Sequence, residues 1–528
     1  MEHYCITFQP EGTAVSIHRG ATLLEAAGKA GIILEAACGG MGTCGKCRVM
    51  LLPQRRTVLA CQCLVDRDME VLVPAESRFL EHRILEEGRH AGNTVEPDVY
   101  RRYAGQNAPE QVLGAAVDVG TTTVVLKLVR MVDGQVLATE SALNPQTQFG
   151  DDVISRIAYA GRAGGAGRLR EAIVGCINAL VARACRRVSA EASQVYEMCV
   201  AGNTTMHHLL LGLPVGQLGV VPYRAHCVEA MDLEAGPLGL AINPEGRVHV
   251  LANIAGFVGA DTTAAALAVE MDSAENGTLL VDIGTNGELV LAAGGQLTAA
   301  SCAAGPAFEG ARIACGSRAA TGAIEAVMFD GQDIALDVVG GGPPRSICGS
   351  GLVDAVAVML EAAVIDPTGR FAEEPAMERL SQAIRRRLMR RDGEPLFMLY
   401  EPSDGGKGVF LTQRDIRQVQ LAKAAIRAGI TLLLRRSGLK DADLRAILLA
   451  GAFGNYIRRE NAVRIGLLPE VEIHRVWFVG NAAGAGAQMA LLNEAAREHA
   501  AGLARRIEYV EIAHELAFTE VYTESMLF

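Results

Sequence analysis

Two stretches, GAAVDVGTTTVVLKL (114–128) and TLLVDIGTNGELVLA (278–292), decide how this chain folds. Each reads as an apolar run, an Asp-x-Gly-Thr turn and a second apolar run, the pattern of two buried strands joined by a tight turn. The second repeats the first 164 residues later, counted from Asp118 to Asp282, so half a domain is expected to occur twice. A turn of this kind offers successive backbone N–H groups and threonine hydroxyls to an anion. Two such turns facing each other would clamp a polyphosphate from both sides. The expected contacts are Gly120, Thr121, Thr122 and Thr123 in the first turn, and Gly284, Thr285, Asn286 and Gly287 in the second. Asp118 and Asp282 end their strands where Mg²⁺ would be held through water, as hard oxygen chemistry demands. Asp261 and Glu288 are expected to position a hydrolytic water, and a helix-cap role for Asp261 is the competing expectation.

Three further glycine-rich turns accompany the pair. LLAGAFGN (448–455) reads as a strand entering a small-residue turn, so Gly451, Ala452, Phe453, Gly454 and Asn455 are expected under a flat base and ribose. ICGSG (347–351) places Gly349, Ser350 and Gly351 before a helix, and VGNAAGAGA (479–487) does the same. Any one of these turns is a weak signal; their ordered set, with strands and helices alternating between them, is a strong one. The expectation is an α/β ATP-binding unit over 113–528 with two lobes, roughly 113–275 and 276–528. It resembles the superfamily of acetate and sugar kinases, Hsp70 and actin.

Residues 1–75 are expected to form a separate unit. Strands are read at 3–8 and 14–17, a capping box at Thr22 and Glu25, and further strands at RVMLL and at the run ending in VLVP (71–74). Between them lies Cys38-GGMGT-Cys44-GK-Cys47, with Cys61 shortly after in LACQC. Four thiolates converging on two irons need a tightly wrapped, glycine-rich backbone with N–H groups near the sulfides. A zinc knuckle pair would show two C-x2-C pairs, and only one is present. The reading is a β-grasp, ferredoxin-like domain holding a [2Fe-2S] cluster on Cys38, Cys44, Cys47 and Cys61, with Cys63 the alternative fourth ligand. The other eight cysteines are taken as small buried hydrophobes. Residues 76–112, charged and punctuated by Gly, Asn and Pro, are read as a linker with one helix near 76–87.

The 528 residues are 50% hydrophobic and 5% aromatic, include 58 glycines and carry a formal charge of −11. That composition excludes a disordered chain and argues against a nucleic-acid partner, which needs a basic surface. No targeting segment or membrane span is read, so a cytoplasmic protein with reduced thiols is expected. For His207 and His208 in an apolar helix, a place in the core or at the surface is read ahead of a corrinoid or metal role, and the basic run IRRRLMRRDG (384–393) is read as a solvated helix face ahead of a dock for an acidic partner.

Together with these two units, the phrases NPQTQFGDDVISRI (144–157), AGNTTMHHLLLG (201–212), GFVGADTTAAAL (256–267) and AAGPAFEGARI (303–313) resemble the reductive activators of corrinoid proteins. The resemblance covers 1–74 and about 113–528. It implies ATP-dependent, one-electron reduction of cob(II)amide to cob(I)amide in a methyl-transfer system, with a corrinoid protein and a low-potential electron donor protein as partners. It also implies that Ser301 faces the partner's cobalt. Residues 75–112 are too short for the extra middle domain of some members, and the absence of cysteine after Cys348 sets the chain apart from activators with added C-terminal clusters. A plant-type cluster sits near about −400 mV. A further one-electron gap of about 200 mV would be about 4.6 kcal/mol, which nucleotide must offset by binding one conformation better than another. Two other functions fit the nucleotide unit alone: a small-molecule kinase with a redox-sensing domain, and a nucleotide-dependent chaperone.

Overall fold

The computed structural model describes residues 2–9, 12–30, 32, 34, 47–74, 99, 111–150, 152–403, 405–451 and 457–528. The expected linker helix, most of the cysteine loop and residues 452–456 lie outside these.

The N-terminal unit is a mixed five-stranded sheet with one helix. Strands β1 (His3–Gln9), β2 (Thr13–His18), β3 (Arg48–Leu52), β4 (Arg56–Leu59) and β5 (Met69–Leu72) lie in the order β2-β1-β5-β3-β4, and helix α1 (Leu23–Lys29) packs against the sheet. Strand alternation sends Ile6 and Phe8 inward and leaves Cys5 facing solvent. The capping box is present: the Thr22 amide donates to Glu25 at 2.6 Å, and the Glu25 amide donates to the Thr22 hydroxyl at 3.1 Å.

The internal repeat is realised as two six-stranded sheets that share the topology of five strands and differ in where the sixth is added. In the first, β6 (Leu113–Val119), β7 (Thr123–Arg130) and β8 (Val136–Leu143) form an antiparallel meander. Strand β9 (Val195–Gly202) pairs parallel to β6; β10 (Met231–Glu234) and β11 (Arg247–Val250) complete the order β10-β11-β9-β6-β7-β8. In the second, β12 (Thr278–Ile283), β13 (Gly287–Ala293) and β14 (Gln296–Cys302) form the same meander. There β21 (Ala446–Ala450) and β22 (Val476–Gly480) run parallel beyond β12, and β23 (Ile507–Tyr509) closes the order β22-β21-β12-β13-β14-β23. Between β14 and β21 come two three-stranded sheets. One holds β15 (Ala323–Phe329), β16 (Ile334–Val338) and β17 (Ser346–Ile347); the other holds β18 (Leu388–Arg391), β19 (Glu394–Tyr400) and β20 (Val409–Thr412).

The helices fill three layers around these sheets. Helices α2 (Val153–Ala160), α3 (Gly165–Arg187) and α4 (Thr204–Leu211) belong to the first repeat, and the apolar side of α3 covers the outer face of its sheet. Helices α5 (Ala260–Ala268), α6 (Gly349–Glu361) and α7 (Gln413–Arg436) follow, and α7 covers the outer face of the second sheet. Between the sheets lie α5 and α8 (Ala482–Leu492), whose alanines join the inner faces of both sheets in one core. The two helices approach so closely that a β-carbon on Gly486 would stand 1.9 Å from the Ala264 carbonyl oxygen. Helix α9 (Glu494–Arg506) and α10 (Phe518–Glu524) end the chain.

His207 and His208 are buried in α4, and burial holds both rings below the ordinary histidine range. The eight cysteines taken as buried divide: Cys185, Cys199, Cys302, Cys315 and Cys348 are buried, Cys176 and Cys227 are half-buried, and Cys5 is exposed. The basic run 384–393 forms a short helical end followed by β18 and is largely solvated, with Arg387 on Asp333 at 2.7 Å and Arg385 on Glu374 at 2.9 Å. Among the described residues no helix is long and apolar enough to cross a membrane.

Candidate nucleotide and iron–sulfur sites

The two Asp-x-Gly-Thr turns, β6–β7 and β12–β13, come from different sheets and meet. The hydroxyls of Thr122 and Thr285 lie 3.5 Å apart, across 163 residues of sequence. The first turn is held from behind by residues that the sequence reading did not single out. Asn144 donates to the Gly120 carbonyl at 2.9 Å and its own amide donates to the Thr122 carbonyl at 2.8 Å. Arg156, buried in α2, donates to the Thr121 carbonyl at 2.5 Å and to the Gly150 carbonyl at 2.9 Å. Asn203, which caps α4, donates to the Thr121 hydroxyl at 2.8 Å. The Gly120 amide closes the turn on the Thr123 carbonyl at 3.0 Å. All three bracing side chains lie in the phrases 144–157 and 201–212, so their signal was present without a role attached.

Four carboxylates gather at the ends of these strands. Asp118 and Asp282 close β6 and β12, Asp261 stands in the first turn of α5, and Glu288 opens β13. Each keeps some accessible surface but lies deep among protein atoms. Burial, followed by the negative charge of Asp261, pushes Asp118 up to about 7, while the Asn481 amide and Lys127 pull the other way. Burial, then Asp261 and Asp118, pushes Asp282 up to about 7. Burial also raises Asp261 to about 6, against the Thr262 amide at 2.7 Å. Glu288 is raised well above the carboxylate range by burial and then by Asp261 and Asp282. Four acids that penalise one another's charge are an arrangement a divalent cation relieves. Among the described residues no three His, Cys, Asp or Glu side chains are placed to ligate a metal directly.

Asn481 joins both lobes at this point. Its amide donates to Asp118 at 3.0 Å, and its carbonyl oxygen caps α8 by accepting from Gly484 at 2.6 Å. Ser301 lies directly opposite Glu288 in the β13–β14 pairing, and its hydroxyl donates to that carboxylate. Gly451 follows β21 with its α-carbon beside the Asp282 carboxylate, while Ala452, Phe453, Gly454 and Asn455 lie outside the described residues. Gly349, Ser350 and Gly351 open α6; Ser350 donates to the Glu325 carbonyl at 2.8 Å and Gly351 packs on the Ile324 carbonyl, so this turn is pinned to β15. Thr123, Gly284, Asn286 and Gly287 are in place in the paired turns, with the Gly284 amide donating to the Asn286 carbonyl at 2.9 Å. Glu309, unassigned from the sequence, accepts from Thr122 at 2.7 Å and from the Thr285 hydroxyl.

In the N-terminal unit the Cys47 and Cys61 sulfurs are 3.3 Å apart and buried. Cys63 is half-buried, and Cys38 and Cys44 lie outside the described residues. Two buried thiols converging in this way fit part of the donor set of an iron–sulfur cluster.

Three family comparisons divide the chain at the boundaries of its folded units. Residues 6–66 match the 2Fe-2S iron-sulfur cluster binding domain, 113–274 the RACo middle region, and 276–528 the C-terminal domain of RACo, the ASKHA domain. The middle region therefore corresponds to the first of the two matching sheets and its helices. The corrinoid activation enzyme RamQ of Eubacterium limosum is 33% identical over 94% of each chain. The [Co(II) methylated amine-specific corrinoid protein] reductase of Methanosarcina barkeri is 28% identical over 50% of this chain and 48% of its own. A solved reductive activator for corrinoid, iron-sulfur protein superposes with a TM-score of 0.73 at 30% identity, covering 99% of this chain and 98% of that one. With a ferredoxin-type domain, two repeated sheets and an ATPase clamp between them, the chain belongs to the reductive activators of corrinoid proteins.

Proposed function

We propose that this chain delivers one electron to the cob(II)amide of a partner corrinoid protein, yielding cob(I)amide, and that ATP bound between its lobes drives the delivery. The observation that carries the ATP part is the meeting of Thr122 and Thr285 beside Asp118, Asp261 and Asp282. In this reading the turn hydroxyls and amides hold the phosphates, Asp118 and Asp282 hold Mg²⁺ through water, and Asp261 and Glu288 orient the attacking water. The 451–455 turn carries the nucleoside, and 349–351 supports the lobe behind it. Ser301, opposite Glu288 in the β13–β14 pairing, keeps the place facing the partner's cobalt that the family resemblance gives it.

The [2Fe-2S] cluster supplies one-electron transfer at low potential, and Cys38, Cys44, Cys47 and Cys61 are its proposed ligands. Cys61 is preferred to Cys63 for its sulfur's approach to Cys47. A separate low-potential donor protein reloads the cluster, and the whole exchange takes place in the cytoplasm. The nucleotide contributes by favouring one arrangement of the lobes, since a ligand shifts an equilibrium only by its differential affinity for the two states.

The test is anaerobic: iron-loaded protein, a chemical reductant and a cob(II)amide protein are mixed, and the cobalt spectrum is followed with and without MgATP. Cob(I)amide that forms only with MgATP, and is lost in Cys47→Ser, supports the reading. Equal rates without nucleotide would overturn it.

A further inference from the structure

Glu309 is placed where no bystander would be. It closes the short 3-10 turn Pro306–Glu309 and reaches between the lobes. One carboxylate oxygen accepts from Thr122 of the first phosphate turn at 2.7 Å, and the other accepts from Thr285 of the second. A hydroxyl has one proton to donate. While Thr122 and Thr285 donate to Glu309, neither donates to a phosphate oxygen. Charge-assisted hydrogen bonds of this kind are about twice as strong as neutral ones, so the carboxylate is not a weak competitor. It and a terminal phosphate are also both anions.

Building on the reading of Thr122 and Thr285 as phosphate donors, we propose that Glu309 is the residue whose displacement signals that ATP rather than ADP fills the site. Its carboxylate and the terminal phosphate compete for the same two hydroxyls, so ATP displaces Glu309 and ADP leaves it in place.

The displacement has somewhere to go. The Gly305 amide donates to the Thr285 carbonyl at 2.9 Å, which ties the start of this turn to the second phosphate turn. At its end, Gly310 has φ +81° and packs so closely that a β-carbon would meet the Ser317 carbonyl oxygen at 2.4 Å. Movement of Glu309 therefore passes into 310–318. This segment is exposed at Arg312 and Arg318, and Arg312 itself holds a left-handed φ of 65° without being glycine. Strain of that kind persists only where surrounding structure enforces it.

The full-length, iron-loaded protein is titrated anaerobically with the non-hydrolysable analogue AMPPNP and with ADP, both with Mg²⁺. Glu309→Ala and Glu309→Gln are expected to bind AMPPNP at least about fivefold more tightly relative to ADP than the parent, the lower end of a typical coupling. Limited trypsin digestion gives the second readout: AMPPNP, but not ADP, is expected to change the cleavage rate after Arg312 and Arg318. Glu309→Ala is expected to show the AMPPNP-like rate with no nucleotide added. Equal changes for both nucleotides, or a selective loss of AMPPNP affinity, would overturn the proposal, and Glu309→Gln decides the matter if Glu309→Ala does not fold. Thr122→Val and Thr285→Val separate the two levels. If they leave AMPPNP affinity untouched, the phosphate-donor reading falls and takes this proposal with it. If they weaken AMPPNP while Glu309→Ala behaves as parent, only the role of Glu309 falls.

Discussion

Arg156 illustrates how much of the site lies behind the residues that would touch ligand. It is fully buried and donates to the Thr121 carbonyl, so it fixes the direction of the first Asp-x-Gly-Thr turn from behind. Hydrogen bonds from a charged donor are each worth about 1.5–3 kcal/mol. Arg156→Met is therefore expected to lower stability by about 3 kcal/mol and to weaken ATP binding by about tenfold, read by thermal melts and nucleotide titration. The acid cluster gives a second expectation. Asp118 and Asp282 at about 7 and Asp261 at about 6 stand above the ordinary value of about 3.9. A raised folded-state value means stability that is fully present below about pH 4 and lost as pH rises through 6–7. Without Mg²⁺ and nucleotide, the melting temperature is thus expected to fall between pH 5 and pH 8, by about 2–4 °C per kcal/mol in a unit of this size. Asp282→Asn should flatten that fall, and an unchanged slope would count against the cluster as its cause. The two Asp-x-Gly-Thr acids were legible because a short motif names them. Asn144, Arg156, Asn203, Asn481 and Glu309 were not, since their roles depend on contacts made across 24 to 363 residues.

At the scale of elements, the repeat was the most legible feature, because strand–turn–strand patterns are local and a copy can be matched by eye. The sequence could not show that both copies turn their inner faces toward one shared layer, α5 and α8. That layer depends on small residues at particular heights. Gly486→Ala drives a methyl group into the Ala264 carbonyl, and overpacking of this sort costs about 1–3 kcal/mol. Gly175, by contrast, lies mid-helix in α3 with open space around its α-carbon. There the same substitution is expected to stabilise by about 0.5–1 kcal/mol through helix propensity. Paired denaturation curves of the two variants check this, and a destabilised Gly175→Ala would show that α3 is not the simple helix described. The eight remaining cysteines show the limit of composition: a buried average hid Cys5, whose exposure follows from its odd place in the β1 alternation.

The whole molecule adds a contact that neither unit announces in sequence. His3, His18 and Lys29 of the ferredoxin-like unit gather on Asp337 of β16, and Lys29 also reaches Glu325 of β15 at 2.6 Å. Burial alone would raise Asp337. The nearby His18 ring at 3.7 Å, the Lys29 charge and the His3 hydrogen bond outweigh it and hold the carboxyl well below its usual range. These pairs seat the N-terminal unit on a small sheet of the second lobe. An electron carrier so seated is positioned by its host, and the strength of the seat sets how often it leaves. Asp337→Asn keeps the Lys29–Glu325 pair but removes the acceptor charge facing three donors. Its cost is expected to be about 1.5–3 kcal/mol, or about ten- to a hundredfold in the docking equilibrium constant. Small-angle scattering should then show a larger radius of gyration for Asp337→Asn, and the parent should approach it as salt is raised. The rate of ATP hydrolysis is expected to stay at the parent value, while cobalt reduction changes with the docked fraction. A faster reduction would mean that the seat restrains the carrier, and a slower one that it aims the carrier. An unchanged radius would mean that apolar contacts, not these charges, hold the two units together.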